Sequence, residues 1–113
     1  VKEKQILVSI SDKKLSFIVE EHLSYIFSLL DKYNLSVNLM QNSAVSFSLC
    51  IDNSKNSVKF LNELRNKFDV LYNSNLVLYT IRHYNNQSLS SFIKNKKIIL
   101  EQKSRNTVQL ITE

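Results

Sequence analysis

Glycine and proline are both missing from this 113-residue chain, where ordinary usage would place roughly eight of the one and six of the other. The absence of glycine excludes several chemistries outright. A phosphate-cradling P-loop, a dinucleotide-binding G-x-G-x-x-G turn, a G-x-S-x-G nucleophile elbow and a collagen repeat all need glycine for left-handed backbone or for close approach to a ligand. Tryptophan is also missing, Ala44 is the sole alanine, and Asn, Lys, Ser and Ile are abundant, so compositional drift is the simplest account of the deficit. Cys50 stands alone and cannot form an internal disulfide. With only His22 and His83 beside it, the chain lacks the close ligand spacing of a zinc site.

Long hydrophobic runs are missing too. No apolar stretch approaches the roughly 18 to 20 residues of a membrane span, and the charged start Val1-Lys2-Glu3-Lys4-Gln5 is unlike a signal peptide, so a cytoplasmic location is expected. What is present is ordinary for a globular chain: 43% hydrophobic residues and 22% charged, with a net charge of +5. The fifteen cations are scattered, the densest group being Lys94, Lys96 and Lys97, which describes a solvated surface better than a nucleic-acid patch.

Periodicity orders the rest. Gln5-Ile6-Leu7-Val8-Ser9-Ile10 has the length and β-branched content of a buried strand. Val19, Leu23, Ile26, Phe27 and Leu30 then share one helical face, with Glu20 and Glu21 in the first turn, Lys32 in the last, and Asn34 just beyond to take the left-handed position that glycine would normally hold. Leu35, Val37 and Leu39, then Val45, Phe47, Leu49 and Ile51, alternate with polar residues and predict a hairpin connected near residues 41–43. Cys50 falls on its serine face, yet burial or cover by an interface is expected for it. Asp52-Asn53-Ser54 offers N-caps for a helix whose face is Val58, Leu61, Leu64 and Phe68, reaching about Lys67. A strand Asp69-Val70-Leu71-Tyr72, a turn Asn73-Ser74-Asn75, a central strand over residues 76–81, a short helix over 88–93 and strands over 97–101 and 107–112 complete the reading, with a polar turn over 102–106. Without glycine, Asn34, Asn73, Asn75 and Asn85 are the expected carriers of positive φ.

The order β-α-β-β-α-β followed by β-α-β-β predicts an α+β chain. Residues 1–74 form a ferredoxin-like βαββαβ unit with an antiparallel sheet and two helices on one face; residues 75–113 form a shortened second unit packed on the first. No catalytic constellation emerges. His22 has no H-x-x-x-H partner, His83 is far away in sequence, and Asp31, Asp52, Glu63 and Asp69 fall at helix ends or on polar faces. The element order is shared with RNA-recognition modules, so a stand-alone interaction or RNA-binding module is an alternative, but the strand Val45-Ser46-Phe47-Ser48-Leu49 puts its one aromatic on the apolar face and offers no base-stacking platform.

A more specific likeness lies in the helix and hairpin over residues 23–49. Leu35-Ser36-Val37-Asn38-Leu39-Met40-Gln41-Asn42-Ser43-Ala44-Val45-Ser46 resembles the hairpin of the first ACT domain of aspartate kinases. Phe68-Asp69-Val70 and Leu76-Val77-Leu78-Tyr79-Thr80-Ile81-Arg82 resemble the strands leading into their second ACT domain, and residues 100–110 resemble the C-terminal end of a bacterial subgroup in which that domain is shortened. The resemblance implies regulation. In such enzymes a separate N-terminal kinase domain, with ATP and Mg, phosphorylates the aspartate side chain, while the ACT domains bind an end-product amino acid and pair into a homodimer. The kinase domain's glycine motif cannot exist here, so this chain is expected to be a catalytically inert C-terminal portion, with no cofactor of its own and no nucleic-acid or membrane partner.

The resemblance also implies where an effector would sit. A free amino acid presents a carboxylate, which suits main-chain N–H groups at a helix start, and an ammonium, which suits an acid or carbonyl oxygens. The family's corresponding positions are the loop from Ser11 to His22, with Glu21, His22 and Leu23 at the helix start, then Asn38 on the second strand, and Gln41, Asn42 and Ser43 in the hairpin connection. Lysine is the favoured effector and threonine the second. Three positions depart from the family pattern: Asn38 where Asp is common, Glu21 where Gly is common, and Ala44 where Glu is frequent.

Overall fold

The structure is a computed structural model and describes residues 1–14, 17–18 and 20–113, so the expectations for Val19 and for part of the loop before the first helix lie outside the described residues. The chain forms two compact units, Ile6–Ser74 and the pair of segments Val1–Gln5 and Asn75–Glu113. Strand β1 (Lys2–Asp12) and strand β4 (Phe68–Arg82) contribute residues to both.

The larger unit follows β1 with α1 (Glu20–Lys32), β2 (Val37–Asn42), β3 (Ser46–Asp52), α2 (Lys55–Leu64) and the first half of β4. Its strands lie in the order β2-β3-β1-β4, which is the ferredoxin-like arrangement expected from the element order. Val8 and Ile10 of β1, Phe47, Leu49 and Ile51 of β3, and Phe68 of β4 meet Ile26, Leu29 and Leu30 of α1 and Phe60 and Leu64 of α2 in one core. Burying each such side chain contributes about 1.5–3 kcal/mol, which is what holds both helices to the sheet.

Local chemistry sets the helix ends. After α1, the Leu35 N–H donates to the Leu30 carbonyl at 2.8 Å and the Asn34 N–H to the Asp31 carbonyl at 3.0 Å, a Schellman closure with Asn34 at φ 54°. Asn34 therefore does what a glycine would do elsewhere. At the start of α2, Ser54 and Ser57 cap reciprocally: the Ser57 N–H donates to Ser54 Oγ at 3.3 Å and the Ser54 N–H to Ser57 Oγ at 3.0 Å.

Several boundaries and faces differ from the sequence expectation. Helix α2 ends at Leu64, not Lys67, and Phe68 opens β4 instead of closing the helix face. Val58, placed on the core face by its spacing, is 56% exposed, whereas Phe60, outside that set, is fully buried. In α1 the core face includes Leu29, while Phe27 lies at its rim, edge-on to Phe47 with ring centroids 5.9 Å apart. Val45 sits in the exposed hairpin connection, so β3 starts one residue later. Strand β1 is longer than its apolar stretch, beginning at Lys2.

The largest correction concerns residues 73–75. Asn73-Ser74-Asn75 has the composition of a turn, yet β4 runs unbroken through it for fifteen residues. Only Asn75 takes positive φ, at 57°; a single left-handed residue kinks an extended strand without reversing it. Asn73 is not left-handed, and Asn85 is an extended N-cap at φ −122°. Lys4 and His83 take positive φ instead, both at 54°.

In the smaller unit the strands follow the order β1-β4-β6-β5, with α3 (Asn86–Ile93), β5 (Ile98–Lys103) and β6 (Thr107–Thr112). Antiparallel pairing runs from Val77 opposite Thr112 to Arg82 opposite Thr107. Helix α3 is capped by Asn85, whose Oδ1 accepts the Ser88 N–H at 2.7 Å. Its Leu89 packs with Val108 and Leu110, and Lys96 closes the cluster over the Phe92 ring, 4.4 Å from its centroid.

Candidate functional site

The residues named from the sequence fall into two groups at opposite ends of β2. One group surrounds the start of α1 and the β2–β3 connection. There the Ile18 N–H donates to the Ala44 carbonyl at 2.9 Å, fastening the segment that enters α1 to the hairpin tip. Ser43 closes that tip on itself: its N–H donates to the Ser46 carbonyl at 2.9 Å, and its Oγ lies 2.9 Å from Ser46 Oγ and accepts the Ser46 N–H at 3.1 Å. Gln41 and Asn42 are exposed beside it. Glu21 is exposed in the first turn of α1, where a carboxylate opposes the positive end of the helix dipole. His22 and Leu23 have packing roles: His22 meets Phe68 edge-on with centroids 5.6 Å apart, and Leu23 packs against the main core.

The other group is Asn38 with Asp52. The β2–β3 register jumps from Val37 opposite Ile51 to Leu39 opposite Cys50, leaving Asn38 as the extra residue of a bulge. Bulges re-aim a side chain, and here the Asn38 Nδ2 donates to Asp52 Oδ1 at 2.9 Å. Sequence reasoning did not join these two residues. Period-two alternation carries no sign of a bulge, and Asp52 read as a helix-entry residue. The chain thus holds an amide and a carboxylate side by side at this point.

Five residues of extended chain rise roughly 16 Å, which puts Asn38 and Ser43 toward opposite ends of β2. Phe47, the aromatic of β3, is buried in the core, leaving no base-stacking face on that strand. Among the described residues no cluster of His, Cys, Asp and Glu could hold a metal ion, and no helix is long and apolar enough to cross a membrane.

No protein-family model matches this sequence, and no curated protein matches it. Solved structures do. A C-terminal regulatory domain of aspartate kinase from Porphyromonas gingivalis superposes with a TM-score of 0.79 at 20% identity, over 99% of this chain and 82% of that one. The aspartate kinase of Clostridium acetobutylicum gives 0.78 at 19% identity, over 99% of this chain and 30% of that one. E. coli aspartokinase III in complex with lysine and aspartate gives 0.74 at 18% identity, over 97% of this chain and 28% of that one. The chain thus spans most of an isolated regulatory domain and under a third of the longer enzymes. At these identities the likeness establishes the fold, which is the α+β, ferredoxin-like ACT fold of those regulatory domains.

Proposed function

We propose that this chain is the amino-acid-sensing regulatory region of an aspartate kinase. The observation that carries the reading is the extent of the likeness: an isolated aspartate kinase regulatory domain and part of two longer aspartate kinases match over 97–99% of the chain, including the short second unit. In this reading the chain performs no chemistry. Phosphoryl transfer from ATP, with Mg, belongs to a kinase domain outside these residues, in the cytoplasm, and the regulatory region acts through binding free energy that biases two arrangements of the enzyme.

The effector is lysine, or threonine as the second candidate; the E. coli relative was solved with lysine and aspartate. Its carboxylate binds where Ile18 and Ala44 bring the start of α1 against the hairpin tip, with Glu21, Gln41, Asn42 and Ser43 around it. Its ammonium binds the Asn38–Asp52 pair, in which Asp52 supplies the charge that an amide at position 38 cannot. The separation of these two groups along β2 supports a homodimer in which each effector touches the hairpin tip of one copy and the Asn38 end of the other.

Calorimetric titration of the chain with lysine and with threonine, combined with sedimentation at matched concentration, tests the reading. Saturable heat from one of them, abolished by Asp52→Asn, is expected from a dimeric species. Absence of heat from both at millimolar concentration, or binding by a strict monomer, overturns the effector assignment.

A further inference from the structure

Helix α2 carries a second, unassigned feature in the larger unit. Val58, Leu61, Asn62 and Arg65 recur at three, one and three and share one helical face, but that face is only partly used by the core. Opposite it stand Ile6 of β1 and Tyr72 and Ser74 of β4, and the elements enclose a hollow of about 310 Å³. That volume is at the small end of metabolite pockets.

The hollow has a built polarity. Its floor is apolar, with Ile6 and Leu61 buried, and its rim keeps two large side chains in solvent, Val58 at 56% and Tyr72 at 46% exposure. Arg65 lies over the Tyr72 ring, 5.3 Å from its centroid, which restrains the guanidinium at the mouth. Arg65 makes no ion pair among the described residues. No acidic side chain lines the hollow: Asp69 belongs to the opposite face of β4 from Tyr72 and Ser74, and Glu63 is bound to Lys32 and Tyr33.

We infer that this hollow between α2 and β4 is a binding site for a small organic carboxylate with an apolar body and no ammonium group, of the 2-oxo acid class. The guanidinium takes the carboxylate, the amides of Asn53 and Asn62 and the Ser74 hydroxyl supply neutral hydrogen bonds at the rim, and Ile6 and Leu61 take the apolar body. A free amino acid of the same shape is disfavoured because its ammonium would face Arg65 with no carboxylate to neutralise it. Inorganic phosphate satisfies the cation but leaves the apolar floor unfilled. The hollow shares no lining residue with Glu21, Asn38 or Ser43.

The test is an amide-shift titration of the ¹⁵N-labelled chain with 4-methyl-2-oxopentanoate, leucine and phosphate in parallel. The 2-oxo acid is expected to give saturable shifts on α2 and β4, with leucine about tenfold weaker or more because its ammonium faces Arg65 unneutralised, and phosphate weaker by a similar factor because the apolar floor stays empty. Arg65→Gln is expected to weaken the 2-oxo acid by a similar factor, and Val58→Trp to abolish binding by filling the hollow while the spectrum stays dispersed. No saturable shift at millimolar concentration, equal binding of leucine or phosphate, or unchanged affinity in Arg65→Gln would overturn the assignment.

Discussion

The Tyr33 hydroxyl donates to Glu63 Oε1 across 2.6 Å, tying the end of α1 to the last turn of α2, and the Lys32 ammonium reaches the same oxygen at 2.9 Å. One carboxylate oxygen thus serves two donors. The Tyr33 hydrogen bond, then that of Lys32, holds the Glu63 carboxyl below its ordinary value, and the Glu63 carboxylate in turn raises both Tyr33 and Lys32 above theirs.

The signs fix a pH profile. Glu63 binds its proton less readily folded than unfolded, so its contribution is complete above the ordinary carboxylate range and is lost as pH falls through its depressed value. Tyr33 and Lys32 are raised, so their contributions are complete below their ordinary values and are lost as pH rises through the folded ones. Urea denaturation across pH should show both limbs, and Glu63→Gln should flatten the acid and the alkaline limb together. If Glu63→Gln leaves the acid limb as steep as before, other carboxylates govern it.

Capping predicts a local loss. Ser54→Ala removes the oxygen that accepts the Ser57 N–H and should cost about 1 kcal/mol, read as a lower urea midpoint with an unchanged slope. Ser54→Asp keeps the acceptor and should recover most of it.

Backbone strain predicts gains. Lys4 and His83 hold positive φ without the local side-chain bonding that makes Asn tolerant there, so His83→Gly should stabilise the chain by about 1 kcal/mol, as should Lys4→Gly. Asn34→Ala should destabilise by a similar amount, about 1 kcal/mol, because the Schellman closure depends on that residue. Thermal melts of the three variants check this directly.

The Asn38–Asp52 contact predicts a charge effect. Asn38→Asp exchanges a donor for a second carboxylate, and at neutral pH it should cost about 1 kcal/mol. The deficit should shrink on acidification as one of the two carboxyls takes up a proton. A loss that is the same at pH 7 and in acid would mean the bulge tolerates the like charges.

Sequence periodicity revealed α1, the hairpin, α2 and the final strand, the last with its bounds intact, because each buries one face and so shows a regular pattern. What it could not show depends on partners distant in sequence. The Asn73-Ser74-Asn75 run has turn chemistry, but cross-strand pairing over β4 overrides it. Val58 faces solvent and Phe60 the core because contacts with the sheet, which spacing along α2 does not reveal, decide which edge of its apolar face is buried. At the site, only the family resemblance brought Asn38 and Ser43 together. The contact of Asn38 with Asp52 follows from a bulged register that alternation alone does not fix.

Cys50 is fully buried in β3, with both Leu49 and Ile51 buried beside it, and it is the chain's single thiol. A thiol reagent can therefore reach it only when the structure around β3 opens. Its labelling rate in native buffer becomes a clock for that opening, readable without any engineered probe, and an effector bound at the hairpin tip would slow it in proportion to its occupancy.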